Sequence, residues 1–154
     1  MESDKPKMNL YLKYFLSLEH MQKFIAYVFH YDINSVFIAD IKDDVIKMHE
    51  VNINKHLNKQ QEYVLCQYRF FKTGDAAILL DIWGFTIDTK QLAKMFLDAA
   101  MKLGIVCYIP FNQYLDCEIC YFVNLKNIST VISEDIYDEE NLNLIGIKFS
   151  PHHN

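Results

Sequence analysis

The sequence predicts an α+β domain in which two helices pack on a largely antiparallel sheet of about seven to eight strands. Short apolar runs with two-residue alternation recur along the chain, whereas residues 18–31 and 89–103 repeat at helical spacing. The order strand, helix, strand occurs twice, as in a doubled split βαβ arrangement. With 51% apolar and 14% aromatic residues and only 4 Gly and 3 Pro in 154 positions, disorder across the body is excluded. A single domain over residues 9–154 behind a flexible tail at 1–8 is expected.

Each element follows from local chemistry. Leu10, Leu12, Tyr14 and Leu16 alternate with Tyr11, Lys13 and Phe15, the period of a first strand. Ser17 is placed to cap a helix over 18–31, with Glu19 in the first turn and Leu18, Met21, Phe24, Ile25 and Val28 on one face. Asp32, Asn34 and Ser35 end it. Residues 36–39 begin a strand that turns at Lys42, Asp43 and Asp44 into 45–53, a hairpin, and the polar run 54–61 is a loop between two halves. Residues 62–71 and 76–85 form a second hairpin around Lys72, Thr73, Gly74 and Asp75. Asp88 with Gln91 has the form of a capping box, and Leu92, Met95, Phe96, Ala99 and Leu103 mark a buried helix face that ends at Gly104. Residues 105–109 read as a strand stopped by Pro110, 117–125 as another, 128–132 as a short one and 142–149 as the last.

Charge narrows the function. Lys and Arg number 15 against 20 Asp and Glu, a net charge of −5, and Arg69 is the single arginine. Nucleic acid and anionic membranes are therefore not the expected partners, because both need concentrated positive charge. The polar N-terminus has no signal-peptide form and no apolar window approaches the roughly 18 residues of a membrane span, so a cytoplasmic location with reduced cysteines is expected. Cys117 and Cys120 are three apart in a strand and point to opposite faces, a poor arrangement for one metal ion. No His-Glu-x-x-His and no glycine-rich phosphate loop occurs, and neither turnover nor a cofactor is expected.

The carboxylates carry more information. Glu134, Asp135, Asp138, Glu139 and Glu140 crowd residues 134–140, and no Lys or Arg lies anywhere in 127–147. This segment reads either as a solvated loop before the last strand or as a docking site for a basic protein. Tyr137 adds the aromatic component that an interface uses, and Asp43 and Asp44 on the earlier hairpin supply further contacts. The oxygen spacing of a calcium loop is absent. In an alternative reading, Tyr63, Tyr68, Tyr108, Tyr114 and Tyr121 line a concave sheet face, and the chain is a small-molecule-binding regulatory domain.

In size, acidic charge, α+β pattern and the acidic segment 134–140, the chain resembles the immunity proteins that bacteria make against contact-dependent growth-inhibition and other polymorphic toxins. The resemblance implies a protein that binds a co-encoded toxin domain, often a basic nuclease. It would neutralise that domain by covering its active site or its substrate-binding surface.

Overall fold

Strand alternation divides the apolar side chains between two cores. A computed structural model describes residues 7–42 and 62–152. In chain order they form β1 (Lys7–Leu12), α1 (Leu18–Phe29), a 3-10 turn (Ile33–Ser35), β2 (Val36–Asp40), β3 (Val64–Phe70), the two-residue β4 (Thr73–Gly74) and β5 (Ile78–Trp83). Then come α2 (Thr89–Leu103), β6 (Cys107–Tyr114), β7 (Cys117–Asn124), β8 (Asn127–Asp138) and β9 (Asn143–Pro151). The strands make one nine-stranded sheet ordered β2-β3-β5-β1-β6-β7-β8-β9-β4, parallel only at β2–β3 and β4–β9 among the described residues. β1 and β2 run parallel with β5 and β3 between them, and β5 and β6 run parallel with β1 between them. With α1 and α2 as the crossovers, this is the doubled split βαβ order.

The helices cover one face. Met8, Leu10 and Leu12 of β1, Val64 and Cys66 of β3, and Ile78, Leu80 and Ile82 of β5 pack against Phe24, Ile25, Leu92 and Phe96. Phe24 and Phe96 meet edge to face with centroids 5.7 Å apart, a contact worth about 0.5–1.5 kcal/mol beyond its buried area. Ser17 caps α1 as expected, its Oγ accepting from His20 N at 3.2 Å. Gly104 ends α2 in the left-handed conformation at φ 71°. The capping box is not formed: Asp88 gives only its carbonyl, to Leu92 N at 2.9 Å, and α2 starts without a side-chain cap. Leu92 and Phe96 are buried, but Met95 is only partly so and Leu103, in the last turn, is 45% exposed.

Other boundaries differ for physical reasons. β1 begins at Lys7, inside the segment read as tail, because Met8 is buried under the helices, and it ends at Leu12, leaving Tyr14 and Phe15 exposed. Pro110 does not stop β6. It faces Cys120 of β7 beside a bulge, while the ladder to β1 has already ended at Tyr11–Tyr108. The N–H that proline lacks is thus not required by β1. The short strand expected at 128–132 is the start of the twelve-residue β8. The strand expected over 45–53, the loop 54–61, Asp43 and Asp44 lie outside the described residues.

The second core forms because the sheet bends round and closes. The connection between β3 and β5 crosses to β9, pairing Thr73 with Gly146 and Gly74 with Ile147. Lys72 N donates to Ile145 O at 2.9 Å, Asp75 N to Ile147 O at 2.7 Å, and Phe149 N to the Asp75 carboxylate at 2.8 Å. Arg69 Nη2 adds a 2.9 Å bond to Leu144 O. Inside this turn of sheet lie Tyr11, Leu79, Tyr108, Cys120, Val131 and Ile147. Tyr108 stacks on Phe122 at 4.6 Å and on Phe149 at 3.7 Å. The five tyrosines grouped from sequence do not share a face: Tyr108 lies here, Tyr68 and Tyr121 border the helix-side core, and Tyr114 is exposed.

Candidate functional site

The acidic segment is a strand end and not a loop. The ladder of β8 with β7 stops at Ile132–Ile119, and from Glu134 to Asp138 β8 is paired with β9 alone. This free end of the hairpin carries the carboxylates. Glu134 sits opposite Lys148 and is exposed, whereas the charge of Asp135, its neighbour on the other face of the strand, reaches Tyr11 and Glu118. A bulge between Ile136 and Tyr137 then reorients the strand. The Tyr137 hydroxyl donates to Asp135 Oδ2 at 3.2 Å, and the Asp135 charge pushes the phenol above its ordinary range.

Asp138 builds the turn. Its carbonyl accepts from Leu142 N at 2.7 Å, Oδ1 accepts from Glu140 N at 3.1 Å, and Oδ2 accepts from Asn141 Nδ2 at 3.2 Å. The bond from Asn141, then that from Glu140, holds this carboxyl below the usual range. Leu142, read from sequence as the first residue of the last strand, instead occupies the turn at φ 54° with 78% of its surface exposed. A left-handed leucine costs about 1–2 kcal/mol relative to the right-handed backbone. Leu115 and Leu125 take the same conformation and are also exposed, between β6 and β7 and between β7 and β8. Tyr137, Asp138, Glu139, Glu140 and Leu142 therefore share one hairpin end, with the exposed Glu134 and Asp135 farther along β8. Asp43 and Asp44 lie outside the described residues.

A second polar group sits on the face away from the helices. Asn9 of β1 is opposite Asp81 of β5. Glu118 of β7 accepts from Tyr11 Oη at 2.7 Å and from the Asn9 side chain, and its own N–H donates to Ser133 Oγ at 2.9 Å. Burial raises the Glu118 carboxyl, reinforced by the charges of Asp135 and Asp81 against the bonds from Tyr11 and Asn9. Burial raises Asp81 too, opposed by Lys7 and Arg69. Asn9 Oδ1 is shut off from solvent with no hydrogen-bond partner. Sequence reasoning missed this group, although each member is a lone polar residue at an alternate position of an otherwise apolar strand. Hydropathy assigns that face to water, and only the closure onto β9 makes it interior.

Cys117 and Cys120 do point to opposite sides, Cys120 into the second core and Cys117 away from it, half-buried. Among the described residues no three His, Cys, Asp or Glu side chains are arranged to hold a metal ion, and no helix is long and apolar enough to cross a membrane. Comparison of the chain with protein-family models, curated proteins and solved structures gives no match.

Proposed function

We propose that this chain is an immunity-type binding protein, without turnover of its own, that holds a cationic toxin domain at the end of the β8–β9 hairpin. One observation carries the reading: exposed Leu142 and Tyr137 share one hairpin end with Asp138, Glu139 and Glu140. An apolar and aromatic centre inside a charged rim is the anatomy of a protein interface. The balance of sign matters as well: 127–147 contains no Lys or Arg, and the cations that reach its carboxylates come from outside it, Lys148 opposite Glu134 and Lys72, whose charge acts on Asp138.

A nuclease must present Lys and Arg to phosphates. A carboxylate-rich tip competes for that surface, speeds encounter, and leaves Leu142 and Tyr137 to slow dissociation. The resemblance to bacterial immunity proteins supports the same assignment and a cytoplasmic site of action.

The gene beside this one supplies the test. The C-terminal domain of a large secreted protein encoded there is purified and titrated with this chain. A stoichiometric complex that abolishes the domain's nuclease activity is expected. A domain that stays fully active when saturated, or that forms no complex, overturns the proposal.

A further inference from the structure

β1 and β6 part company at one end of the sheet, and the gap is a second place where chemistry converges. Their ladder contains only Tyr11–Tyr108 and Leu12–Cys107. Beyond it Pro110 and the adjacent bulge carry β6 away from β1, opening a notch of about 380 Å³, a size within the range of small-molecule sites. Its lining carries both signs. Lys7 and Lys90 line it, both exposed and without an ion pair among the described residues, with Thr89 at the start of α2 beside them, and the charge of Lys7 also acts on Asp81. The start of α2 has neither a side-chain cap nor an acidic residue in its first turn, so its N–H groups add to the positive charge. Glu118 reaches across from β7 to Asn9, closing the floor, and the charges of Asp81 and Asp135 lie close enough to act on it. Asn9 Oδ1, the orphan acceptor, belongs to this floor.

We propose that this notch binds a small zwitterion of amino-acid size, its anionic group held by Lys7, Lys90 and the first turn of α2 and its ammonium group by Glu118. Glu118 is the acceptor that the floor presents, so a ligand reaching it must bring donors. The neighbouring carboxylates make a cation a better donor there than a hydroxyl. The two lysines want an anion, and Asn112 on the β6 wall adds a neutral amide to the lining. The site is separate from the hairpin tip and does not depend on the toxin-binding proposal.

Amide chemical shifts of the intact protein at neutral pH provide the test, with glycine, β-alanine, L-glutamate and O-phospho-L-serine as probes. Acetate, inorganic phosphate and ethylammonium represent the separate halves. At least one zwitterion is expected to saturate shifts at residues 89–91 and 118, binding about tenfold or more tightly than either half. Lys90→Ala and Glu118→Gln should each weaken it about tenfold. Lys90 lies on the rim, so its variant folds whatever Glu118 contributes to the core. Shifts that fail to saturate by about 50 mM, equal binding of zwitterions and halves, or indifference to Lys90→Ala would each overturn the site.

Discussion

Gly146 of β9 passes so close to the Thr73 carbonyl that a Cβ on it would overlap the oxygen and lie 2.7 Å from Thr73 C. The crossing is tight from both sides, because a Cβ on Gly74 would meet the Ile147 backbone in the same way. Backbone cannot yield as a flexible side chain can. This pair of glycines is what lets the β3–β5 connection lie on β9 and close the second core.

Gly146→Ala is therefore expected to cost about 1–3 kcal/mol by overpacking. The loss should be local in character. Hydrogen-exchange protection should fall at the amides of Lys72, Asp75 and Phe149, which bond across the closure, while those of α1 keep theirs. Gly104→Ala is the control: it meets nothing within 4 Å and costs only what its positive φ imposes, about 1–2 kcal/mol. Equal losses of protection in both variants would mean that the crossing is not what holds the second core shut.

Glu118 should make stability depend on pH. Burial raises its carboxyl in the folded chain, so the native state keeps this proton more tightly than the unfolded one. The stabilisation is then complete at acid pH and is lost as pH rises from the ordinary carboxylate value of about 4 through the raised native value. Glu118→Gln mimics the protonated group and retains an acceptor for Tyr11. Its unfolding midpoint relative to wild type should climb with pH across that window and then level. Parallel curves would show that Glu118 ionises in the native state as it does in water; Asp81, raised likewise by burial, accounts for any slope left in the variant.

The elements legible in the sequence were those whose signal is local. Leu92 and Phe96 recur on one turn-spaced face, Ser17 accepts from the amide three residues on, and Gly104 needs no partner to take a left-handed backbone. What was illegible depends on distant residues. Thr73 and Gly74 have turn chemistry, and only β9, with Asp75 and Phe149 lying 74 positions apart, makes them a strand. Pro110 breaks a strand on local grounds, yet β6 continues because β1 has already left it. At the hairpin tip the carboxylates and Tyr137 were visible, but Leu142 read as a strand residue because its side chain is apolar, and left-handed leucine has no sequence signature.

The helix ends separate a cap that bonds from one that does not. Ser17→Ala removes the acceptor used by His20 N and should cost about 1 kcal/mol. Asp88→Ala removes a side chain that makes no cap bond and should change stability by less than about 0.5 kcal/mol. Urea unfolding of the two variants side by side checks the contrast. Equal losses would show that Asp88 caps α2 after all.

Leu142 should show opposite effects on folding and binding. Asn tolerates the left-handed backbone better than leucine, so Leu142→Asn is expected to raise stability by about 0.4–1 kcal/mol. If Leu142 is displayed for a partner, the same variant should weaken the toxin-domain complex about tenfold or more, chiefly by faster dissociation. Thermal unfolding and surface-bound kinetics read the two effects separately. A gain in stability with unchanged dissociation would leave the leucine without a binding role.

Charge at the hairpin tip is the last property to test, because it separates steering from anchoring. Asp138, Glu139 and Glu140 lie at or beside the turn, and a cationic partner approaching through a Debye length of about 8 Å at physiological salt feels them before contact. Reversing all three to Lys should slow association by an order of magnitude or so at low salt and flatten its dependence on ionic strength. Because the Asp138 carboxylate also accepts from Glu140 N and Asn141, the reversal disturbs the turn. The pair Glu139→Lys and Glu140→Lys, which leaves those acceptors in place, should show a smaller effect of the same sign. Tyr137→Ala, which removes an exposed ring whose hydroxyl donates to Asp135, should leave association nearly unchanged and speed dissociation. If the charge variants associate at the wild-type rate in low salt, the cationic partner is not steered by this end of the sheet, and the carboxylates of β8 serve only to solvate a hairpin that outruns its neighbour.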